Sequence, residues 1–494
     1  MTAQDRRTPA VCPAPGRTPI NAAKRRLALV TIVGLALGLR LAYVGGLADE
    51  TVFASVDARG YHILATNLLQ RGAFSLQTDP PYLPDGIRTP LYPAFLALIL
   101  SIGGDASHAV PLAQALLDTM TVALVYGLVS RLVTPRRGLL AALLYALNPI
   151  SPLFIGERLT EIGLAFLLAL TFYVFSIGLE TGHRRLALLA ASGFLSACCI
   201  LLKPNLVALP LILALGLVVH NRHPSWRMTR EAGVLLGVAL LGLSPWLARN
   251  RLVFGQWFLS LAFEDNLARV SVVATIAEAQ GEEVGAWSPR WQEIYLTQIA
   301  VPTDHEFGWT GEALIAAEVL QRQRQLAATA GKIIAEYPSA FITSHLKGVL
   351  RSLLPSVHRH WYAYLTHRPW PVGESLRSVF AAALETTGHG DWTGGVGIIA
   401  RWWGQHPKLA RWLWAASIAV YILSYKLILA GLWALRARPD LLVSLGLILL
   451  YLVLIPGPIA YIRFWVPGLP LAAAAMGCAF AANEAFKLRM RGVG

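Results

Sequence analysis

The sequence predicts an all-α integral membrane protein with about ten transmembrane helices. Of its 494 residues, 55% are hydrophobic and only 14% are charged, whereas about a quarter are charged in a typical soluble protein. Several apolar runs also reach the length that crosses a bilayer. The net charge of +14 does not indicate nucleic acid as a partner, because Lys and Arg cluster in short stretches between apolar runs.

The apolar runs divide the chain into membrane and outer parts. The first predicted helix covers residues 27–47 and follows a polar, proline-rich stretch, residues 1–26, expected to be a disordered cytoplasmic tail. Further spans are predicted at 109–132, 138–156, 160–180, 186–203, 204–220, 231–249, 409–435, 440–459 and 465–486. Basic clusters after alternate spans place both termini in the cytoplasm by the positive-inside rule.

This topology gives four regions after the tail: an N-terminal membrane module (27–249), a first outer segment within it (48–109), a second outer segment (250–408) and C-terminal membrane helices with a short cytoplasmic tail (409–494). Each outer segment is expected to contain a helix lying in the membrane interface. Leu91–Ile102 is apolar but too short to span, and Phe341–Leu354 carries Lys347 and Arg351 among apolar residues.

A carboxylate stands at the start of a predicted helix in the first outer segment. The spacing of Ile63 and Asn67 on an amphipathic pattern predicts a helix that begins near Asp57. A carboxylate there, beside a membrane surface, can act as a base toward an acceptor hydroxyl. The alternative is that Asp57 only caps the helix.

Four basic side chains stand at the predicted outer edge of the membrane: Arg88, Lys203, Arg249 and Arg463. A guanidinium or ammonium group at this depth can bind a lipid phosphate. Each can alternatively snorkel toward the headgroups or attract anionic lipid without specificity. The four groups form a phosphate pocket only if they converge, and the sequence does not determine whether they do.

Two acidic residues, Glu157 and Glu161, lie in a short predicted outer loop close to the bilayer, where charge is costly and usually has a partner or a function. If the next span begins here, they share one helical face. A divalent cation such as Mg²⁺ or Mn²⁺ is an open alternative, as is an ion pair between Glu157 and Arg158. The four cysteines and the histidines show no spacing that predicts a metal site.

In their order along the chain, these segments resemble the GT-C superfamily, most closely its branch with the lipid A aminoarabinose transferase and the protein O-mannosyltransferases. The matching segments are Asp57-Ala58-Arg59-Gly60-Tyr61, Arg88-Thr89-Pro90-Leu91-Tyr92-Pro93, Asn148-Pro149 with Glu161, Lys203-Pro204, Pro245-Trp246 with Arg249-Asn250, and Tyr461-Ile462-Arg463 with Val466-Pro467. The O-mannosyltransferases carry a paired Asp-Glu where this chain has Asp57-Ala58, which weakens the expectation of a protein acceptor.

The resemblance implies an inverting glycosyltransferase of the bacterial inner membrane. It would move a sugar from a polyprenyl-phosphate carrier, such as undecaprenyl phosphate, to a hydroxyl or phosphate of a lipid, glycan or protein at the periplasmic face. Asp57 is the expected catalytic base. The residues expected to bind substrate are Arg59, Tyr61, Arg88, Glu157, Glu161, Lys203, Arg249, Asn250 and Arg463. Among them, Arg88 and Arg249 are the first candidates for contact with the phosphate, and Lys203 and Arg463 come second. The other expected partners are membrane lipids.

Two other functions fit a polytopic chain. A transporter or flippase of a lipid-linked or anionic substrate is the first, although the sequence shows no repeated halves and its charges lie at the edge of the spans. A polymerase or ligase of surface polysaccharide is the second.

Overall fold

The computed structural model describes residues 22–47, 55–104, 108–182, 184–221, 223, 225–299, 316–354, 356–371, 383, 386–387 and 391–479, and the regular structure in these residues is helical. The α-helices are α1 (Ala22–Gly45), α2 (Val56–Arg71), α3 (Leu91–Gly103), α4 (Ala109–Leu132), α5 (Pro135–Ala146), α6 (Pro152–Ile155), α7 (Glu161–Glu180), α8 (Arg185–Leu202), α9 (Leu209–Asn221), α10 (Trp226–Phe254), α11 (Ala262–Asn266), α12 (Val273–Ala279), α13 (Pro289–Gln298), α14 (Ala316–Glu336), α15 (Pro338–Leu353), α16 (Val357–Thr366), α17 (Trp392–Gln405), α18 (Lys408–Ala434), α19 (Pro439–Leu454) and α20 (Leu469–Ala479).

Eight helical stretches among the described residues are long and apolar enough to cross a membrane. They are α1, α4, α7, α8, α10, the stretch Pro204–Asn221 that ends in α9, the stretch Lys408–Ala437 that contains α18, and the stretch Ile462–Ala479 that ends in α20. The prediction of an all-α multi-pass membrane protein is therefore confirmed.

Two of the ten predicted spans form shorter helices. The run 138–156 is divided, because α5 ends at Ala146 and the single turn α6 follows only after Asn148-Pro149. Gln114, near the start of α4, donates from its side-chain nitrogen to the carbonyl oxygens of Ile155 and Glu157, both at 2.8 Å. The chain thus returns to the level at which α4 began, so α5 and α6 make the return crossing together. The run 440–459 ends earlier than predicted, as α19 at Leu454.

The first outer segment contains the two predicted helices. Ser55, not Asp57, is the N-cap of α2, since its hydroxyl oxygen accepts from the backbone nitrogen of Ala58 at 3.2 Å. The side chain of Asp57 is therefore not used as the cap. The predicted helix at Leu91–Ile102 is confirmed as α3.

The second outer segment forms helices α11 to α17 and has a hydrophobic cluster of its own. Buried members of this cluster include Val273, Ile276, Trp291, Ile294 and Leu326, which bring α12, α13 and α14 together. The helix predicted at Phe341–Leu354 is confirmed as α15.

The predicted region boundaries differ from the observed helix ends. The tail assigned to residues 1–26 is too long, because α1 already begins at Ala22. The remaining tail residues, 1–21, and the end of the C-terminal region, 480–494, lie outside the described residues. Helix α10 continues to Phe254, beyond the predicted boundary at residue 249, even though it contains Pro245.

Candidate active site

A carboxylate on α2 lies between two guanidinium groups that come from distant parts of the sequence. The Oδ2 atom of Asp57 accepts from Nη1 of Arg463 at 3.1 Å, and its Oδ1 atom lies 3.6 Å from Nη2 of Arg88. Asp57 stands in the first turn of α2, Arg88 precedes α3, and Arg463 lies in the short 3-10 helix Ile462–Gly468. The structure thus brings together three residues that the sequence placed in separate loops.

A second carboxylate stands behind the first. Glu161 is the first residue of α7, and its Oε1 atom accepts from Nε of Arg463 at 2.7 Å and from Nζ of Lys203 at 2.8 Å. Lys203 reaches this place because it is the single residue between the end of α8 at Leu202 and the 3-10 turn that starts at Pro204. Arg463 therefore bridges Asp57 and Glu161.

Exposure separates the two carboxylates. The side chain of Asp57 is 46% exposed, whereas that of Glu161 is fully buried. The three cations, Arg88, Lys203 and Arg463, are mostly buried. Asp57 is thus the acidic member of the ion cluster that an incoming substrate can reach, while Glu161 holds Lys203 and Arg463 in place. With two carboxylates and three cations, these five residues have a formal charge of +1.

Glu157 lies beside this cluster and outside α7. A helical face shared with Glu161 depends on the span beginning at Glu157, and this condition is not met. The helix begins at Glu161, and Glu157 is in the turn that ends at Thr160, the N-cap of that helix. Burial raises the pKa of Glu157 to about 7; nearby Arg463 lowers it, Glu161 and Asp57 raise it, and a hydrogen bond with Ser55 lowers it. Glu157 therefore changes its protonation state near neutral pH.

Two tyrosines form a wall of the site. The ring centroid of Tyr61 lies 5.3 Å from Cζ of Arg88, and Tyr61 packs edge-on against Tyr92 at 5.0 Å. The hydroxyl of Tyr92 donates to Gln114 at 3.2 Å. Burial raises the pKa of both phenols, so they remain neutral and position Arg88 by packing.

Arg249 lies on the same flank as Arg88 and is joined to it through Asp85. Its Nη1 atom donates to the carbonyl oxygen of Asp85 at 2.9 Å, and the Asp85 carboxylate accepts from the backbone nitrogen of Arg88 at 2.8 Å. The guanidinium of Arg249 also lies 4.7 Å from the ring centroid of Trp246. Asn250 is buried, and its side chain accepts from Arg249 at 2.8 Å. Arg249 and Asn250 thus support the site from behind Asp85.

The remaining predicted residue, Arg59, is exposed on α2. Two buried basic residues with polar partners were not among the predicted substrate-binding residues, although the sequence offered Arg158 as an ion-pair partner of Glu157. Arg158, fully buried, contacts the imidazole of His62 on α2. Arg40 and Asp118, both fully buried inside the membrane part, form an ion pair of 2.9 Å. A basic residue within an apolar run is the sequence signal that could have identified Arg40.

The described part of the chain offers few side chains that could together bind a metal ion. Among the described residues, there is no group of three or more His, Cys, Asp or Glu side chains arranged to hold one. Glu161, one of the two candidate ligands, is paired through its Oε1 atom with Lys203 and Arg463.

A small crevice of about 10 Å³ lies beside Lys203. It is lined by Leu164, Lys203, Asn205, Leu206, Leu452, Ile455, Pro456, Phe464 and Pro467. The ammonium group of Lys203 lies 5.1 Å from the ring centroid of Phe464. The crevice has room for about one water molecule.

The comparison with known families matches part of the chain. Residues 87–248 match the family described as dolichyl-phosphate-mannose-protein mannosyltransferase. This range contains Arg88, Glu157, Glu161 and Lys203 of the site. No curated protein matches the sequence.

Solved structures resemble the chain along nearly all of its length. The archaeal oligosaccharyltransferase AglB from Archaeoglobus fulgidus, in complex with an inhibitory peptide and a dolichol-phosphate, is 14% identical, with a TM-score of 0.51 over 95% of this chain and 51% of AglB. ArnT from Cupriavidus metallidurans, bound to undecaprenyl phosphate, is 13% identical, with a TM-score of 0.39 over 94% of this chain and 79% of ArnT. The chain spans about half the length of AglB, with which it shares its fold. Over residues 87–248 the chain is thus similar to the mannosyltransferase family, and along most of its length it has the fold of AglB.

Proposed function

We propose that this protein is an inverting glycosyltransferase that moves a sugar from a polyprenyl-phosphate carrier to an acceptor hydroxyl or phosphate at the periplasmic face of a bacterial inner membrane. The observation that supports this proposal best is the position of Asp57, an accessible carboxylate held between Arg88 and Arg463. The AglB structure, which has the same fold, contains a dolichol-phosphate. The acceptor in this proposal is a lipid, glycan or protein.

The proposed reaction is a single displacement at the anomeric carbon. The acceptor oxygen attacks this carbon and forms the new glycosidic bond, while the bond from the carbon to the phosphate oxygen breaks. Asp57 accepts the proton of the acceptor hydroxyl, and the bonding electrons leave with the polyprenyl phosphate. General-base help of this kind is typically worth about 10²–10⁴-fold. Arg88, Lys203 and Arg463 stabilise the departing phosphate.

The charge of the ion cluster suits such a donor. Asp57, Glu161, Arg88, Lys203 and Arg463 together carry +1, and a sugar phosphodiester carries one negative charge, so donor binding neutralises the cluster. A phosphate that takes over part of the interaction with Arg463 or Arg88 also releases Asp57 from its ion pairs, which leaves its oxygens free for the acceptor proton. Base and leaving-group site are thus coupled through shared cations.

The test is a transfer assay with the purified protein in lipid nanodiscs, a panel of radiolabelled polyprenyl-phosphate sugars and candidate acceptors. We expect label to become covalently attached to an acceptor, with inversion at the anomeric carbon. Passage of an unchanged lipid-linked sugar across the membrane, with no covalent product, would instead identify a transporter or flippase. Product size distinguishes transfer of one sugar from transfer of a polysaccharide chain.

A further inference from the structure

Helix α15 exposes its large aliphatic residues and buries its small ones. Ile342, Leu346, Leu350 and Leu354, the last just beyond the helix end, are each 55–62% exposed and recur every four residues. The spacing aligns them along one side of the helix. An amphipathic helix of a water-soluble domain places such a stripe against its core, so this stripe requires another apolar environment.

The opposite face of α15 packs closely against the protein. Its buried residues are Ala340, Ser344, Gly348 and Ser352, again four apart. At Gly348 the helix meets the backbone of Gly457 so closely that a Cβ atom would collide with the Gly457 carbonyl. Small residues on the protein side and large aliphatic residues on the outer side are the arrangement of helices that face lipid.

The helix is held between elements of the membrane part. Near its C-terminal end, the carbonyl oxygen of Leu353 accepts from the hydroxyl of Tyr425, which belongs to the spanning helix α18, at 2.6 Å. Helix α15 also contacts α19, whose end exposes Leu450, Leu454 and Ile455. The exposed aliphatic stripe is therefore continuous with the apolar surface of the membrane helices.

Two basic residues border the stripe. Lys347 is paired with Glu278 of α12 at 2.5 Å, and Arg351 donates to the carbonyl oxygen of Pro458 at 2.6 Å. Both follow an aliphatic residue of the stripe by one position, which places them at its edge. Basic residues in this position lie at the level of the lipid headgroups.

We propose that α15 lies in the membrane interface, with Ile342, Leu346 and Leu350 among the acyl chains of the leaflet on the side of the ion cluster. The occupant of the exposed face is thus lipid. The helix crosses only the surface of this leaflet, because Lys347 and Arg351 prevent it from sinking further.

This placement has a consequence for the ion cluster, which rests on the proposed function. Gly348 and Arg351 contact Gly457 and Pro458, five to six residues before Arg463. Lipid contacts that fix the position of α15 therefore also fix the position of the segment that carries Arg463. A change in the depth of α15 in the membrane would shift this guanidinium relative to Asp57.

The position of α15 can be measured without any activity. In full-length protein with Cys12, Cys198, Cys199 and Cys478 replaced by Ala, single cysteines at residues 342, 346 and 350 carry a nitroxide label, and the protein is placed in nanodiscs. We expect these labels to be accessible to oxygen rather than to a water-soluble nickel complex, at about 5–10 Å below the headgroups.

A label at Gln292, exposed on α13, is the aqueous control. Labels at α15 that match this control would overturn the proposal, and labels inaccessible to both reagents would show that protein, not lipid, covers the face.

The coupling to the ion cluster is tested with Leu346→Asn combined with Leu350→Asn, and with Thr343→Asn as the matched control on the polar flank. The double variant should raise the KM for donor by about fivefold or more, a typical size of coupling between sites, and should move the label at residue 342 toward water. A moved label with unchanged KM would reject the coupling alone. If the wild-type protein transfers no sugar, the proposed function fails while the depth measurement still decides the position of α15.

Discussion

Asp57 and Glu161 show how two carboxylates in one ion cluster differ in their roles. Both contact Arg463, but Asp57 is nearly half exposed whereas Glu161 is fully buried and also paired with Lys203. Breaking a buried pair by removing one partner leaves an uncompensated charge, so Glu161 is suited to hold the cluster together. Asp57 is suited to meet the acceptor because it can be reached without disrupting that arrangement.

Replacing Asp57 by Asn should abolish most sugar transfer. The amide keeps the size of the side chain but cannot accept the acceptor proton, so we expect a loss of about 10²–10⁴-fold in kcat. The measurement is radiolabel transfer in nanodiscs, with thermal unfolding as a check on folding. Asp79→Asn, an exposed position in the same outer segment, is the control. Full transfer by the Asp57→Asn enzyme would remove the assignment of the base.

Glu157 should make stability depend on pH. Burial raises its pKa from 4.5 to about 7, so between these values the folded state binds more protons than the unfolded state. The stabilisation is fully present below 4.5 and is lost as the pH rises through 7. Glu157→Gln is neutral at every pH, so raising the pH from about 5 to about 8 should lower its unfolding temperature less than that of wild type. Glu293→Gln, an exposed site, should behave like wild type; equal pH dependence in all three proteins would contradict the prediction.

At the scale of elements, helix ends place the charged groups. Lys203 enters the cluster because α8 stops before Pro204, and Glu161 does so because α7 starts with it. Inside the membrane part, Asp118 of α4 binds Arg40 of α1 at 2.9 Å and accepts from Tyr145 of α5 at 2.5 Å. These contacts hold α1, α4 and α5 together, and α5 leads through α6 to the turn that contains Glu157.

Breaking the pair of Arg40 and Asp118 should destabilise the helix bundle. Asp118→Asn leaves the buried guanidinium without its counter-charge, a change that typically costs about 3–5 kcal/mol. Replacing both residues by Leu should cost less, because no unpaired charge remains. Thermal unfolding of the two variants in the same detergent compares them; a double variant that is less stable than Asp118→Asn would contradict this explanation.

Arg249 should influence the donor site indirectly. It contacts the carbonyl oxygen of Asp85, whose carboxylate holds the backbone of Arg88, so Arg249→Ala should loosen Arg88. We expect weaker donor binding with little change in folding, measured by donor titration and thermal unfolding. Arg251→Ala, exposed on the same helix, is the control. Unchanged donor affinity would show that this support is not needed for phosphate binding.

At the scale of the whole molecule, one residue near the C-terminal end completes a site built from the N-terminal half. Arg463 is 406 residues from Asp57 and 302 residues from Glu161 along the chain, yet it bonds to both. The match to the mannosyltransferase family covers residues 87–248 and therefore contains neither Asp57 nor Arg463. The ion cluster depends on the folding of the complete membrane bundle.

Arg463→Lys tests this bridge with charge conserved. A single ammonium group lacks the fork of the guanidinium and cannot repeat both contacts, so transfer should fall by roughly tenfold or more. Arg436→Lys is the control, because Arg436 is exposed in the connection between α18 and α19. This variant should leave transfer unchanged. Wild-type transfer by Arg463→Lys would show that the charge alone suffices.

The sequence by itself determined the membrane helices, the short helices of the interface and the residues at the edge of the spans, because hydropathy, length and proline positions are local properties. It favoured Arg249 over Arg463 for contact with the phosphate, whereas Arg463 is the one that bonds to Asp57. It also could not exclude Asp57 as a cap or place Glu157 off the helix. The tertiary structure decided these points, since they depend on where the ends of separate helices meet. An ion pair forms through space between groups a few ångströms apart, and only packing of the whole bundle brings Asp57, Glu161 and Arg463 to that distance.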